Sequence, residues 1–379
     1  MNDLPLNGRN FTQLLNLTPG VSAVNTSQNG GSQQFAGNTV GSFSFPSING
    51  QTNRSNLFLL DGLNNQESFA STYSVPPIID DIQEFKVDSH NDQAQFGGVL
   101  GGVVNVVTKS GTNNFHGTAW EFFRNSALDA KNPLTGINQL HLNQFGANIG
   151  GPVLLPRYNG RNRTFFFGSY EGIRRHEGNA NQIFIPTPAE LNGDLRLDPS
   201  GNPLAQIYNP YSTTSSGART PFLCVGNSTT PAPLLSGTKL QAPAGTTTAP
   251  AGFTACNLLP PGLIDANMQK VAQVLYGPLT PNILKAGGNY QRTLLNTQDP
   301  NSYNIRIDEQ FRQSDAIFGR FSHINSPRSI PGIFGQTNFN NYWAHQIGIG
   351  WNHTFGPTAV LSIQFGRNYG YSVNPVLLP

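Results

Sequence analysis

From residue 116 onward the chain repeatedly alternates apolar and polar side chains with period two, the spacing of a strand with two unlike faces. In Trp343–His353, Trp343, Ile347, Ile349 and Trp351 stand against Ala344, Gln346, Gly348, Gly350 and Asn352. In Ala359–Tyr371, Leu361, Ile363, Phe365, Tyr369 and Tyr371 stand against Ser362, Gln364, Gly366, Asn368 and Gly370. Shorter runs of the same kind mark His116–Phe123, Gln144–Gly150, Thr164–Gly172, Tyr303–Asp308 and Asp315–His323, so seven strands are predicted. In the first of these, Thr118, Trp120 and Phe122 share a face. An apolar face set against Gly, Asn, Gln and Ser suits lipid outside and a wet lumen inside; one sheet of a soluble sandwich alternates in the same way. The links separate the two. Residues 124–143, 173–302 and 324–342 are long connections, whereas 151–163, 309–314 and 354–358 are short, in strict alternation. Outer-membrane barrels have long external loops and short periplasmic turns. A soluble meander has no such requirement.

The first 112 residues follow a different pattern. Phe11, Leu14, Leu15 and Leu17 predict a short helical stretch that Pro19-Gly20 stops. Asn25–Gly41 is aperiodic and polar, hence loop, and Asn49-Gly50 is a turn signal. Leu57–Leu60 reads as a short strand delivered into Asp61-Gly62. Ile82, Phe85 and Val87, set among Gln83, Glu84, Lys86 and Asp88, form an amphipathic strand. A turn rich in glycine follows at Gly97, Gly98, Gly101 and Gly102, and then Val103–Thr108, a β-branched run expected to be buried. The paired glycines remove Cβ where backbone turns tightly or packs closely, and Gly102 is expected to need such space or a positive φ.

These elements, in this order, resemble the plug domain of TonB-dependent outer-membrane transporters. Leu59-Leu60-Asp61-Gly62, Ile82–Val87, Gln95-Phe96-Gly97 and Gly101–Lys109 carry the resemblance, and Asn2–Val21 resembles the opening of the plug in the Oar-like branch. The resemblance implies a mixed α/β plug over residues 1–112, followed over 113–379 by antiparallel transmembrane β-barrel strands with a long external insert at 173–302. It implies that Asp61, Gly62, Phe96, Gly97, Gly101, Gly102, Asn105, Thr108 and Lys109 form the plug's structural motif. Gln144 and Asn148 are expected to cover the Gly101–Val107 segment. Trp120, Trp343, Trp351, Tyr369 and Tyr371 are expected to meet lipid. The strands in hand would be an incomplete part of a 22-stranded barrel. The implied function is active uptake of a bulky or scarce substrate across the outer membrane, with a TonB-type energy-coupling partner, outer-membrane lipid and an unknown extracellular ligand. The family's TonB-contacting segment precedes the plug, and nothing in Met1–Pro19 matches it.

Composition narrows the alternatives. Charged residues are 11% of the 379 and the net charge is +2, so no field draws the protein to nucleic acid. No run of 18 apolar residues exists, which excludes an ordinary transmembrane helix but not a barrel. Met1-Asn2-Asp3 does not open a signal peptide. Cys224 and Cys256 are candidates for a single disulfide in an oxidising compartment. They lie in Pro210–Pro261, a stretch rich in Ser, Thr, Gly, Ala and Pro, ahead of a helix-like spacing over Leu263–Tyr276. Histidines are scattered without HExxH, and no CxxC occurs. Asp80, Asp81, Asp88 and Asp92 lack the spacing of a calcium loop, and no motif places a catalytic triad. The reading is therefore of no enzyme, no cofactor and no metal. The competing reading is a secreted or surface-exposed β-rich adhesin that binds without transport.

Overall fold

A computed structural model describes residues 9, 11–22, 46–67, 73–89, 96, 99–130, 139–227, 229–283 and 288–377. The chain divides into two compact units, one formed by Met1–Asn179 with Leu295–Pro379 and the other by Ala180–Leu294.

The first unit holds a small and a large sheet. The small sheet contains β1 (Leu57–Leu60), β2 (Leu63–Asn64), β3 (Ile82–Asp88) and β4 (Val103–Thr108) in the order β2-β1-β4-β3. β1 and β4 run parallel and the other pairs antiparallel. The β-branched run of β4 lies inside the sheet, and Val103, Val104 and Val106 are fully buried, as expected of a strand paired on both sides. Phe11 and Leu15, from the 3-10 helix Phe11–Leu17, close a core with Phe58, Leu60, Tyr73, Ile79 and Ile82. The glycines ahead of β4 make room. A Cβ on Gly102 would stand 2.6 Å from the Ile48 Cδ1, and one on Gly101 2.3 Å from the Asn56 Oδ1. Neither has a positive φ, so of the two reasons for Gly102 only space applies. Gly97 and Gly98 lie outside the described residues.

The large sheet contains β5 (His116–Asn125), β6 (Gln139–Pro152), β7 (Thr164–Ile183), β8 (Tyr290–Gln298), β9 (Asn301–Arg312), β10 (Asp315–Pro331), β11 (Thr337–Gly356) and β12 (Ala359–Val373). β8 and β9 are separated only by Asp299-Pro300, and both pair with β10. The pairs β5–β6, β6–β7, β7–β9, β9–β10, β10–β11 and β11–β12 are all antiparallel. Among the described residues β5 pairs only with β6, so the sheet is open there, and at its other edge β12 pairs only with β11. The strands outrun the apolar alternation that predicts them. β7 continues to Ile183 and β8 resumes at Tyr290, so the insert proper spans 184–289 and not 173–302. The added lengths, such as Arg174–Asn181, are polar on both faces and carry no hydropathy signal.

One face of the large sheet is turned to the small sheet; the other is outward. Ile305, Ile307, Ile349, Ile363 and Phe365 are about half exposed on the outer face. Rings of Phe145, Tyr170, Tyr303, His323, Trp343 and Tyr371 make a continuous row across it, with centroids 5.1–6.2 Å apart. Trp120 departs from expectation. It pairs with Gly146 one step from the Thr118–Asn148 pair, on the inner face, where the Arg9 guanidinium lies 6.0 Å from its ring and 4.2 Å from that of Phe122. The face it shares with Thr118 and Phe122, expected to be the lipid side, is the inner one.

The second unit is built around strands Leu223–Val225 and Phe253–Ala255, which a Cys224–Cys256 disulfide joins. Leu223, Ala232 and Ala242 form its buried cluster. The buried Gln241 amide donates to the Leu223 and Ala232 carbonyls and accepts from the Leu223 N–H. A helix over Ala266–Tyr276, capped by Asp265, leaves Met268, Val271 and Val274 exposed.

Candidate functional site: a seat for the Asp61–Asn64 turn

Asp61 and Gly62 join β1 to β2 with φ of 53° and 79°. Two positive φ values are what a two-residue hairpin turn of the primed type needs, and Asp-Gly is among the few pairs that supply them. The turn is fastened to β4. The Asp61 N–H donates to the Val106 carbonyl (2.8 Å) and the Gly62 N–H to the Asn105 Oδ1 (3.1 Å). The Thr108 N–H donates to Asp61 Oδ1 (2.8 Å) and its hydroxyl to Oδ2 (2.9 Å). The carboxylate is thereby fixed, with its remaining lone pairs aimed at the large sheet.

Two arginines meet it there. Arg306 Nη1 is 2.9 Å from Asp61 Oδ1, and Arg320 Nε is 2.7 Å from Oδ2. The second contact is an ion pair whose angle falls short of a hydrogen bond. Arg306 and Arg320 are direct cross-strand partners on β9 and β10. Like charges placed opposite one another destabilise a sheet, and here the Asp61 carboxylate stands between them. Asp308 binds the other side of Arg306 at 2.8 Å, so two cations meet two anions. Arg320 also donates to Ser322 Oγ (2.7 Å), Gln346 Oε1 (2.8 Å) and the Leu60 carbonyl (3.2 Å). A buried ion cluster is tolerated when its remaining donors are satisfied in this way.

The register extends the seat. Arg306, Arg320, Gly348 and Gly366 are successive partners across β9, β10, β11 and β12, one row of the inner face. The two arginines receive Asp61, and the two glycines receive Leu63. A Cβ on Gly348 would stand 2.6 Å from the Leu63 Cδ1, and one on Gly366 3.2 Å from its Cδ2. The adjacent row is Asn304, Ser322, Gln346 and Asn368. From it Gln346 Nε2 (2.8 Å) and Asn368 Nδ2 (2.7 Å) both donate to the Asn64 carbonyl. Farther along, the Tyr342 hydroxyl donates to the Ser74 carbonyl (2.8 Å). A second contact lies by β7, where the Ser169 hydroxyl donates to Asp81 and Arg9 pairs with Asp80. Lys109 supports that turn, its Nζ on the Asp80 carbonyl and its N–H on that of Asp81, each 2.7 Å away.

Of the residues singled out in the sequence, Asp61, Gly62, Asn105 and Thr108 converge at the seat, with Lys109 beside the second contact. Gly101 and Gly102 lie at the opposite end of β4, and Phe96 is a half-buried bend. Gln144 and Asn148 do not cover β4; they bond to Glu171 and Thr118 within the large sheet. Arg306, Arg320, Gly348, Gln346 and Asn368 were not anticipated as a set. One signal was present: Arg306 and Arg320 are equidistant from the turn at residue 313, so they face each other and call for an anion.

The large sheet carries on its inner face a small domain whose described residues form a four-stranded sheet with 3-10 helices and no α-helix, so the mixed α/β expectation is not met there. An open antiparallel sheet of this kind, apolar outward and polar inward, is the wall of an outer-membrane barrel protein. Residues 107–377 match the family described as outer membrane beta barrel domain, more than half of the chain, and the protein belongs to that family. It is 32% identical over 165 residues to the TonB-dependent transporter Oar of Myxococcus xanthus, an alignment covering 41% of this chain and 14% of that protein. It also resembles the outer membrane transporter YddB of Escherichia coli, with a TM-score of 0.51 at 10% identity, over 96% of this chain and 37% of that one. At that identity the likeness shows the fold alone. The chain spans a minor part of the length of each of these relatives.

Proposed function

We propose that residues 1–112 are the plug of a TonB-dependent outer-membrane transporter of the Oar-like branch, and that 113–379 contribute strands to its barrel. Strands of the same pattern would pair with the open edges of β5 and β12 and complete a wide barrel of the 22-stranded, plugged kind. The protein then resides in the outer membrane and takes up a bulky or scarce substrate, with energy from a TonB-type partner and recognition by external loops. The observation that carries this reading is the joint hold of Arg306 and Arg320 on Asp61, which fixes the small domain to the inner face.

The test uses the full-length protein in planar bilayers. Urea should open a wide conductance as the plug leaves the barrel. Asn64→Cys with Asn368→Cys, placed where Asn368 meets the Asn64 carbonyl, should form a disulfide that keeps the pore shut until a reductant is added. A pore that conducts fully before urea, or that opens despite complete cross-linking, would overturn the plug assignment. Absence of conductance under any condition would favour the binding protein without transport.

A further inference from the structure

The second contact, by β7, has chemistry of its own. Asp81 is 1% exposed. Its Oδ2 accepts the Ser169 hydroxyl, while Oδ1 is buried with no protein partner. The charged groups that face it are Asp80 on its own turn, Glu171 on β7, Arg9 and Lys109. Arg9 is engaged by the Asp80 carboxylate, and the Lys109 Nζ by the Asp80 carbonyl. Glu171 accepts from the Gln144 amide (3.0 Å). Asp81 therefore has carboxylate neighbours on two sides and bonds to neither cation. The nearby Asp61 cluster is neutral within itself.

Beside Asp81 is a cavity with room for about one water, lined by Thr108, Ser302, Asn304 and Ser322 and closed by Leu60 and Pro76. The Asn304 Oδ1 is taken by the Ser322 hydroxyl (2.8 Å). Its Nδ2 faces Asp81 without a hydrogen bond of good geometry. Tyr303 and His323 border the cavity, and their rings stack on each other in the outer row. We propose that Asp81 is a proton-binding site at the interface of plug and barrel, and that its neutral form seats the plug while its ionised form loosens it. One water in the cavity would accept from Asn304 Nδ2 and from the protonated Oδ1.

Burial is the main reason the site holds a proton, with Glu171 and Asp80 adding to it and the Ser169 bond opposing it; together they raise the carboxyl from 3.8 to about 7. Once unseated into water, the group returns to its ordinary range. Between those two values the seated form binds more protons than the unseated form, so seating weakens as pH rises. The ratio of seated to unseated plug changes by at most about tenfold per pH unit within that window, and it levels off above it.

This inference rests on the plug reading, and the experiment separates the two. In the full-length protein in bilayers, the urea concentration for half-opening of the pore is measured from pH 5 to pH 8. The parent should open at less urea as pH rises. Asp81→Asn, always neutral, should have a shallower slope than the parent, and Asp81→Asn with Glu171→Gln should keep the acid-side value throughout. Arg320→Met should lower the value equally at every pH. If Arg320→Met lowers it and Asp81→Asn keeps the parental slope, the proton site is wrong and the plug reading stands. If neither variant has any effect, both are wrong. Should Asp81→Asn fail to fold, infrared spectra of Glu171→Gln, which removes the neighbouring carboxyl, still decide. A carboxylic C=O band should disappear with a midpoint near pH 7, and its absence at pH 5.5 would overturn the proposal.

Discussion

At the scale of single residues, the seat depends on three small geometrical facts: a positive φ at Asp61, a fixed carboxylate and two missing Cβ atoms. Removing the carboxylate alone leaves two opposed guanidinium groups buried with one anion fewer. Asp61→Ala should therefore weaken plug seating by about 3–5 kcal/mol, the cost of breaking a buried pair from one side. The measurement is the urea concentration for pore opening in the full-length protein, which should fall. Filling the notch should act more mildly. Gly348→Ala puts a methyl group against the Leu63 Cδ1 and should cost about 1–3 kcal/mol, as overpacking does. Leu63→Ala in the same background should restore most of it, and no recovery would show that the methyl acts elsewhere. Asp61 was legible because a hairpin turn is written in adjacent residues. Its arginines were not, since period two assigns a side chain to a face but does not say what docks there.

At the scale of elements, the sequence showed where strands cross an apolar layer and not where they stop. Trp343 and Trp351 are eight residues apart on β11, about 27 Å along a strand. At the usual barrel tilt this spans roughly 20 Å, near the height of an outer-membrane apolar band. Spin labels at Ile349 and Ile363 should thus be reached by a lipid-soluble quencher in the full-length protein, and labels at Gly348 and Gln364 should not. Equal accessibility on both faces would remove the membrane reading. Beyond the aromatic row the strands continue on polar alternation alone, which hydropathy cannot distinguish from loop. The insert shows a different limit. Sequence could name Cys224 and Cys256 as candidates but not bring Leu223–Val225 beside Phe253–Ala255, because that pairing depends on non-local packing. With the cysteines 32 positions apart, replacing both by serine should cost the insert roughly 4 kcal/mol by loop entropy. Faster proteolysis within 184–289 would register the loss.

At the scale of the whole molecule, the apolar outer face and the polar seat are two sides of the same strands, so one alternation serves both faces together. That economy explains why the fold was readable from a pattern of faces. It also explains why Trp120 was misassigned, since an aromatic residue on the inner face looks like its outer counterparts until Arg9 is seen against it. The small domain is held at separated places: Arg9 with Asp80 and the rings of β5 near its N-terminal side, and the Asp61–Asn64 turn against β9 to β12. In mechanical language, tension applied from the N-terminal side would load these anchors in series. Arg9 would give way before strain reaches Asp61, and the peak force would be that of the strongest single anchor instead of their sum. A modest sustained pull could then extract what no comparable sudden load would dislodge, as a seam parts stitch by stitch.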